Sequence, residues 1–328
     1  MWGNMFSKID EESFSNFLRD IRKSSGLTQR QVCLATGLSE ETLRRLEKGT
    51  NIPSFRTMED LSSVYKVDVI RVFMYHRQSN SVFKLYEELD QLIISNNMTN
   101  INHLSTRLNK LTADSKTNVT EVEMIQFQLL LQGLESTYTK NMDILPETIY
   151  IRALSTRHHN FNIKNFKEYS FNHLELKLLL LYAVDKSENQ NYIDSNDIML
   201  FIFEEYLKLV KYIEHDYTFM KLIVKVLFTI SYNYHCLDQF EDVVFYVDTA
   251  LRMLLDMSSF YLMHGLYFRK AAALYFLDYP ADVYTPFFVH SFNVLQIQGM
   301  DELRSIYINQ AKKKYHIDYD SKSIVSHS

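Results

Sequence analysis

The sequence predicts an all-α protein built in two blocks, and three observations carry that expectation. Only 7 of the 328 residues are glycine and 4 are proline, too few for the many tight turns of a sheet protein. Apolar residues make up 46% of the chain, ample for a core, and they recur every three or four positions almost without a break. The length suits two domains rather than one, and a single polar run, HRQSNS at residues 76–81, divides a short amphipathic block from a long one. The expected organisation is an N-terminal domain over residues 1–76, a linker at 77–81, a helical domain over 82–316 and a flexible tail at 317–328.

In the first block, Asp10 can cap a helix that runs to about Ser24. Phe14, Phe17, Leu18 and Ile21 form its buried face, with Arg19, Arg22 and Lys23 outside. Residues 27–55 read LTQRQVCLATGLSEETLRRLEKGTNIPSF. Thr28 N-caps a second helix and Gln31 completes a capping box; Val32 and Ala35 supply its buried side. Gly37 stands where the chain must turn, a place that favours a residue tolerant of positive φ. Ser39 N-caps a third helix over residues 40–48. Leu43 and Leu46 point inward from it, and Glu40, Glu41, Arg44, Arg45 and Lys48 point outward. Gly49 suits its C-terminal cap. Ser54 caps a fourth helix with Met58, Leu61 and Tyr65 inward, and Asp68 a fifth through Val69, Val72 and Phe73.

These residues form a helix-turn-helix that resembles the phage-repressor, or XRE-type, DNA-binding domain. The matching positions are Arg22, Gly26, Leu27, Thr28, Gln29, Gly37, Leu38, Leu46, Glu47, Gly49, Pro53 and Leu61, in register over roughly residues 11–76. The resemblance implies that the third helix enters the DNA major groove. Arg44 and Arg45 can then take guanine edges or phosphates, Glu40 and Glu41 can accept from cytosine, and Lys48 shares the same face. Gln29 matches a position that reaches phosphate, while Thr28 and Ser39 are caps whose helix starts can offer backbone N–H groups to phosphates. Glu47 reads as structural. The alternative is a solvated charged face with intrahelical pairs.

From Val82 onward the helical period continues. Val82, Leu85, Leu89, Leu92 and Ile93 mark one helix, and Ile101, Leu104, Leu108 and Leu111 its partner. A third covers 119–134, and Pro146 opens a fourth at its first turn. Further helices fall at about 173–185, 196–213, 217–236, 239–257, 260–278, 282–299 and 301–315, with corners expected at Pro280 and Pro286. Leu237-Asp238-x-x-x-Asp242-Val243 recurs forty residues later as Leu277-Asp278-x-x-x-Asp282-Val283, each at a helix–helix corner. The recurrence points to tetratricopeptide-like (TPR-like) helix pairs stacked into a superhelix with a concave face.

An XRE-type domain followed by about 250 residues of helical repeats resembles the peptide-pheromone-responsive regulators of Gram-positive bacteria, the RRNPP type. The nearest layout is that of the Rgg/MutR group. The stretches FKEYSFNHLELKLLLLY at 166–182 and GLYFRKAAALYFL at 265–277 carry this second likeness. It implies a cytoplasmic homodimer that binds a two-fold operator in double-stranded DNA and a short signalling peptide, in quorum sensing. Candidate peptide contacts are a polar strip in the helix over 217–236 (Thr218, Lys221, Lys225, Thr229, Tyr232 and Asn233), and the basic residues Arg152, Arg157, Arg269 and Lys270. Asn side chains can clamp a peptide backbone, and the cations suit an acidic or C-terminal carboxylate. For each, an ordinary solvent face or ion pair is the competing account. A protein-docking or dimerisation scaffold without a peptide ligand remains the alternative for the whole domain.

Other classes find little support. There is no Gly-rich phosphate loop, no His-Glu-x-x-His and no Gly-x-Ser-x-Gly, so neither an enzyme nor a cofactor is expected. Cys33 and Cys236 lack metal-ligand spacing, no metal site is expected, and Cys33 reads as core. The longest apolar runs, such as residues 178–184, are too short to span a bilayer. Net charge is −5. Residues 1–78 carry 12 Lys and Arg against 10 Asp and Glu, and the remainder 23 against 30. Phosphate affinity would therefore come from local placement of charge, which favours a dimer on two half-sites.

Overall fold

The computed structural model describes residues 11–65, 67, 69, 72–73, 81–95, 100–113, 121–139, 145–209 and 217–319, and among these residues there is no strand. The chain divides into two compact units, Met1–Leu131 and Gln132–Ser328.

The first unit opens with α1 (Glu11–Ser24), α2 (Gln29–Thr36), α3 (Glu40–Glu47) and α4 (Phe55–Tyr65). They share one core of Phe14, Leu18, Val32, Cys33, Leu43, Leu46, Met58, Leu61, Tyr65, Val69 and Phe73. The local signals act as the sequence implies. The Thr28 hydroxyl accepts from the Gln31 N–H at 3.2 Å while the Gln31 side chain accepts from the Thr28 N–H at 2.9 Å. Gly37 takes φ 74° and ends α2. Ser39 and Ser54 accept from the N–H groups of Thr42 and Thr57. Ala35 is a correction: it is exposed, and Cys33 takes the second buried place. With only two turns, α2 is covered by α3 and α4 over Val32 and Cys33, so residues 34 and 35 face solvent. Asp10, Asp68 and most of the expected fifth helix lie outside the described residues. Its Val69 and Phe73 are buried, Phe73 edge-on to Phe14 at 5.0 Å. Of the expected linker only Ser81 is described, and it begins α5 (Ser81–Ser95), which packs against α6 (Ile101–Ala113). The boundary between the units falls inside α7 (Glu121–Thr139).

The second unit is an array of paired helices, the helical-repeat superhelix that the recurrence implies. Its elements are α8 (Pro146–Ser155), a 3-10 turn (Ile163–Glu168), α9 (His173–Glu188), α10 (Tyr192–Leu209), α11 (Tyr217–Cys236), α12 (Phe240–Asp256), α13 (Met263–Phe276), α14 (Ala281–Ile297) and α15 (Asp301–Tyr315). From α8 onward each helix packs on the next, and the first helices of the pairs also touch: α9 on α11, α11 on α13, α13 on α15. The repeated Leu-Asp corners have the same geometry. Asp238 and Asp278 both take φ 57°. The N–H groups that follow, Gln239 and Tyr279, donate to the carbonyls of Tyr234 and Leu274 at 2.9 and 3.1 Å. This is the six-to-one bond of a Schellman turn, made here without glycine. Pro286 is a second correction: it lies within α14 rather than at a corner. The Pro280 corner suffices to start the helix, and the lost N–H of Pro286 leaves one carbonyl of the first turn without its helical donor. At the far end, Ile317 is buried with Phe268, Phe288, Phe292 and Tyr315.

Candidate functional site

Two surfaces carry the candidate residues. On the first, α3 is a helix of eight residues with its charged side outward and Leu43 and Leu46 buried behind it. Glu40, Glu41, Arg44, Arg45 and Lys48 are all exposed. Arg44 holds Glu41 in a two-pronged pair, Nε to Oε2 at 2.8 Å and Nη2 to Oε1 at 2.7 Å. The pair fixes the direction of a side chain that would otherwise wander, and it uses Nε and Nη2 only.

The rear of α3 is anchored by charge as well as by leucine. Glu47 is 3% exposed and accepts from Arg22 Nε at 2.5 Å, Arg22 Nη2 at 2.9 Å and Gln29 Nε2 at 2.9 Å. Arg22 also donates to the Leu27 carbonyl at 3.0 Å. The hydrogen bond to Glu47 holds the Arg22 guanidinium above its ordinary pKa, and burial pushes the Tyr65 hydroxyl well up. Gln29, a candidate phosphate contact, thus spends its amide on Glu47, and the hydroxyls of Thr28 and Ser39 cap their helices.

The second surface is on α11 and its neighbours. Asn233 is fully buried. Ser187 donates to its carbonyl at 2.5 Å, and its amide donates to Ser195 and Asn196, each at 2.9 Å. It therefore ties α9, α10 and α11 together. Lys221 is half-buried and Tyr232 exposed on the same helix. Burial lowers the Lys225 pKa to about 8, against the opposing pull of Glu188. Burial also raises the Asp185 carboxyl, with repulsion from Glu147 adding to it, and the Glu188 carboxyl, with repulsion from Asp185.

Tyr232 and Arg269 come together, the guanidinium carbon 5.4 Å from the ring centre. Arg157 is engaged with the buried Glu175 at 3.1 Å, and His158 meets the same carboxylate at 3.2 Å. Arg152 is exposed. Lys270 pairs with Asp248 at 2.6 Å. The strip's spacing places these residues along one side of α11 but does not separate a buried tie such as Asn233 from an accessible ring such as Tyr232. No sequence pattern marks the surroundings of Arg269, namely Phe228 and Ser231, apart from Gly265 one turn before it in the first turn of α13. Among the described residues no cluster of His, Cys, Asp and Glu is suited to a metal ion, and no helix is long and apolar enough to cross a membrane.

Comparison with known proteins agrees with this geometry. Residues 18–71 match the family HTH_3, described as helix-turn-helix. No curated protein matches the sequence significantly. Among solved structures, Bacillus thuringiensis PlcR in complex with the peptide PapR7 and DNA superposes with a TM-score of 0.63 at 16% identity, covering 91% of this chain and 99% of that one. The apo form of the same protein gives 0.52 at 16% identity, covering 91% and 98%. A Listeria monocytogenes EGD-e protein described as a transcriptional regulator gives 0.60 at 13% identity, covering 94% and 100%. Fold and motif define a helix-turn-helix protein with an appended helical-repeat domain. Over most of its length the chain shares the fold of PlcR, and the helix-turn-helix is the part that a family model matches.

Proposed function

We propose that the protein is a transcription regulator that binds a two-fold operator as a homodimer through α3 and receives a short signalling peptide on its helical repeats. The observation that carries the DNA half is the seating of α3. Its rear is held by Leu43, Leu46 and the Arg22–Glu47–Gln29 cluster, while Arg44, Arg45 and Lys48 stay exposed in front. A helix anchored from behind, with arginines and a lysine among the charged side chains on its outer side, suits the reading of a major groove. Support for the peptide half is the shared fold with PlcR, whose structure was determined with a peptide and DNA. Peptide binding would act by favouring one arrangement of the two DNA-binding heads, and so one half-site spacing.

The test has two parts. Operator fragments selected from random DNA should be bound by the wild type and lost by Arg44→Ala combined with Arg45→Ala. Calorimetry with candidate peptides encoded beside the gene should show binding and a changed DNA affinity; a peptide that alters neither stability nor DNA binding removes the receptor half. A second reading, in which the repeats are a scaffold without a ligand, draws on Asn233. The side chain best suited to clamp a peptide backbone is consumed by Ser187, Ser195 and Asn196.

A further inference from the structure

Arg269 is a half-buried charge in the second unit that no carboxylate among the described residues pairs with. Its Nη1 donates to the Phe228 carbonyl at 2.5 Å and the Ser231 hydroxyl at 2.8 Å. The guanidinium stands over Phe228, its carbon 4.1 Å from the ring centre, with Tyr232 at 5.4 Å. No carboxylate among the described residues pairs with it, whereas its neighbour Lys270 has Asp248 and Lys186 has Glu147. The groups that act electrostatically on Arg269 are Tyr307, Cys236 and Tyr232, none of them an acid at neutral pH. Burial lowers its pKa to about 10, so it remains a cation in neutral solution. A half-buried cation without a counter-charge has lost part of its hydration with no ion pair to offset it.

The unused donors have a shape. Nε and Nη2 form the side edge of the guanidinium, two parallel N–H directions that match the two oxygens of a carboxylate. Neither finds an acceptor among the described residues, and neither is sealed from solvent. The ring that supports this edge sits against a glycine. Gly265 lies in the first turn of α13, one turn before Arg269. A Cβ there would stand 2.8 Å from the Phe228 ring, so any larger residue would push the ring from its present place against α13. The cradle is built from α11 and α13, with Tyr307 of α15 at its side, and these are the first helices of successive pairs.

We infer that Arg269 is the docking point for a carboxylate of the bound peptide, gripped side-on by Nε and Nη2 while Phe228 and Tyr232 shield the pair from water. The inference rests on the peptide-receptor reading above. The carboxylate is either the peptide's C-terminus or an Asp or Glu side chain, and the test separates the two.

Full-length protein is incubated with three pools of random heptapeptides: one with free C-termini, one C-terminally amidated, and one amidated and lacking Asp and Glu. Peptides that co-elute in gel filtration are quantified by mass spectrometry. The wild type should retain anionic peptides about tenfold to a hundredfold over the acid-free amidated pool, the range of a desolvated charge-assisted pair. Retention from the free-acid pool alone assigns the C-terminus; retention from the amidated pool containing acids assigns a side chain. Arg269→Gln should abolish the preference, and Arg269→Lys, which keeps the charge without the fork, should keep part of it. Gly265→Ala, which leaves the guanidinium in place but displaces Phe228, should weaken the preference too. If the wild type retains peptides without regard to charge, or Arg269→Gln keeps the wild-type preference, the inference is overturned while the receptor reading stands. If the wild type retains nothing from any pool, both fall. Melting temperature separates a purely bracing role: Arg269→Gln should melt no lower than the wild type, and a lower melting point with an unchanged preference overturns the proposal.

Discussion

Glu47 and Arg22 lie 25 positions apart in sequence and meet behind α3, 3% and 12% exposed. Removing one partner strands the other in a dry place. Glu47→Ala should cost about 3–5 kcal/mol of stability in urea denaturation of the N-terminal transition, and replacing both residues by methionine should cost less than either single change. A loss below about 1 kcal/mol for Glu47→Ala would show that water reaches the pair. Lys225 makes a pH-dependent case. Its folded pKa, about 8, is below its ordinary 10.5. Between those values the unfolded chain holds a proton that the folded chain has released, so stability rises with pH across the window and is level below it. Lys225→Met should remove that slope and stabilise the protein at pH 7 by on the order of 1–3 kcal/mol. Denaturation at pH 8 and pH 10 measures it; an equal slope in the mutant would refute the assignment.

At the scale of elements, the helices end in ways that few glycines would suggest. Gln190, Asp238, Ser258 and Asp278 all take positive φ at helix ends. Asparagine and aspartate tolerate that region better than other side-chain-bearing residues, which lets a chain with 7 glycines close its corners. The helix α14 has the opposite fault. Pro286 lies in its second turn and is exposed, so it adds little packing while removing a helical hydrogen bond. Pro286→Ala should raise stability by about 1–2 kcal/mol, less than the full interior penalty because proline also restricts the unfolded chain. Thermal melting checks this, and a lower melting point would mean that the ring supports a contact with a partner.

For the molecule as a whole, charge placement matters more than charge total. The chain carries −5, yet Arg44, Arg45 and Lys48 share one exposed face. If this face meets phosphate, DNA affinity falls steeply with salt, and Arg44→Ala with Arg45→Ala makes the dependence of log K on log salt shallower by about one to two units per DNA-binding head. Anisotropy titrations at several salt concentrations read it; an unchanged slope would place those arginines off the DNA.

Much of this architecture is legible in the residue order because its causes are local. A capping box, a serine N-cap, a glycine that tolerates positive φ and leucines three apart each act within one or two turns, so α2, α3 and the turn between them follow from neighbours alone. The same holds for the Leu-Asp corners. Ala35 and Pro286 depart from the pattern where a short helix or a lone proline leaves local spacing ambiguous between two faces or two ends. The polar strip of α11 marks the limit. Tyr232 and Asn233 are adjacent and equally polar in pattern, yet one is exposed and the other is sealed against α9 and α10. Helical spacing reveals that residues share a side, but whether that side meets water, a neighbouring helix or a ligand depends on chain far away in sequence. Arg269 depends most on distant chain, because its lack of a carboxylate partner among the described residues is a property of three helices packed together and of no single stretch.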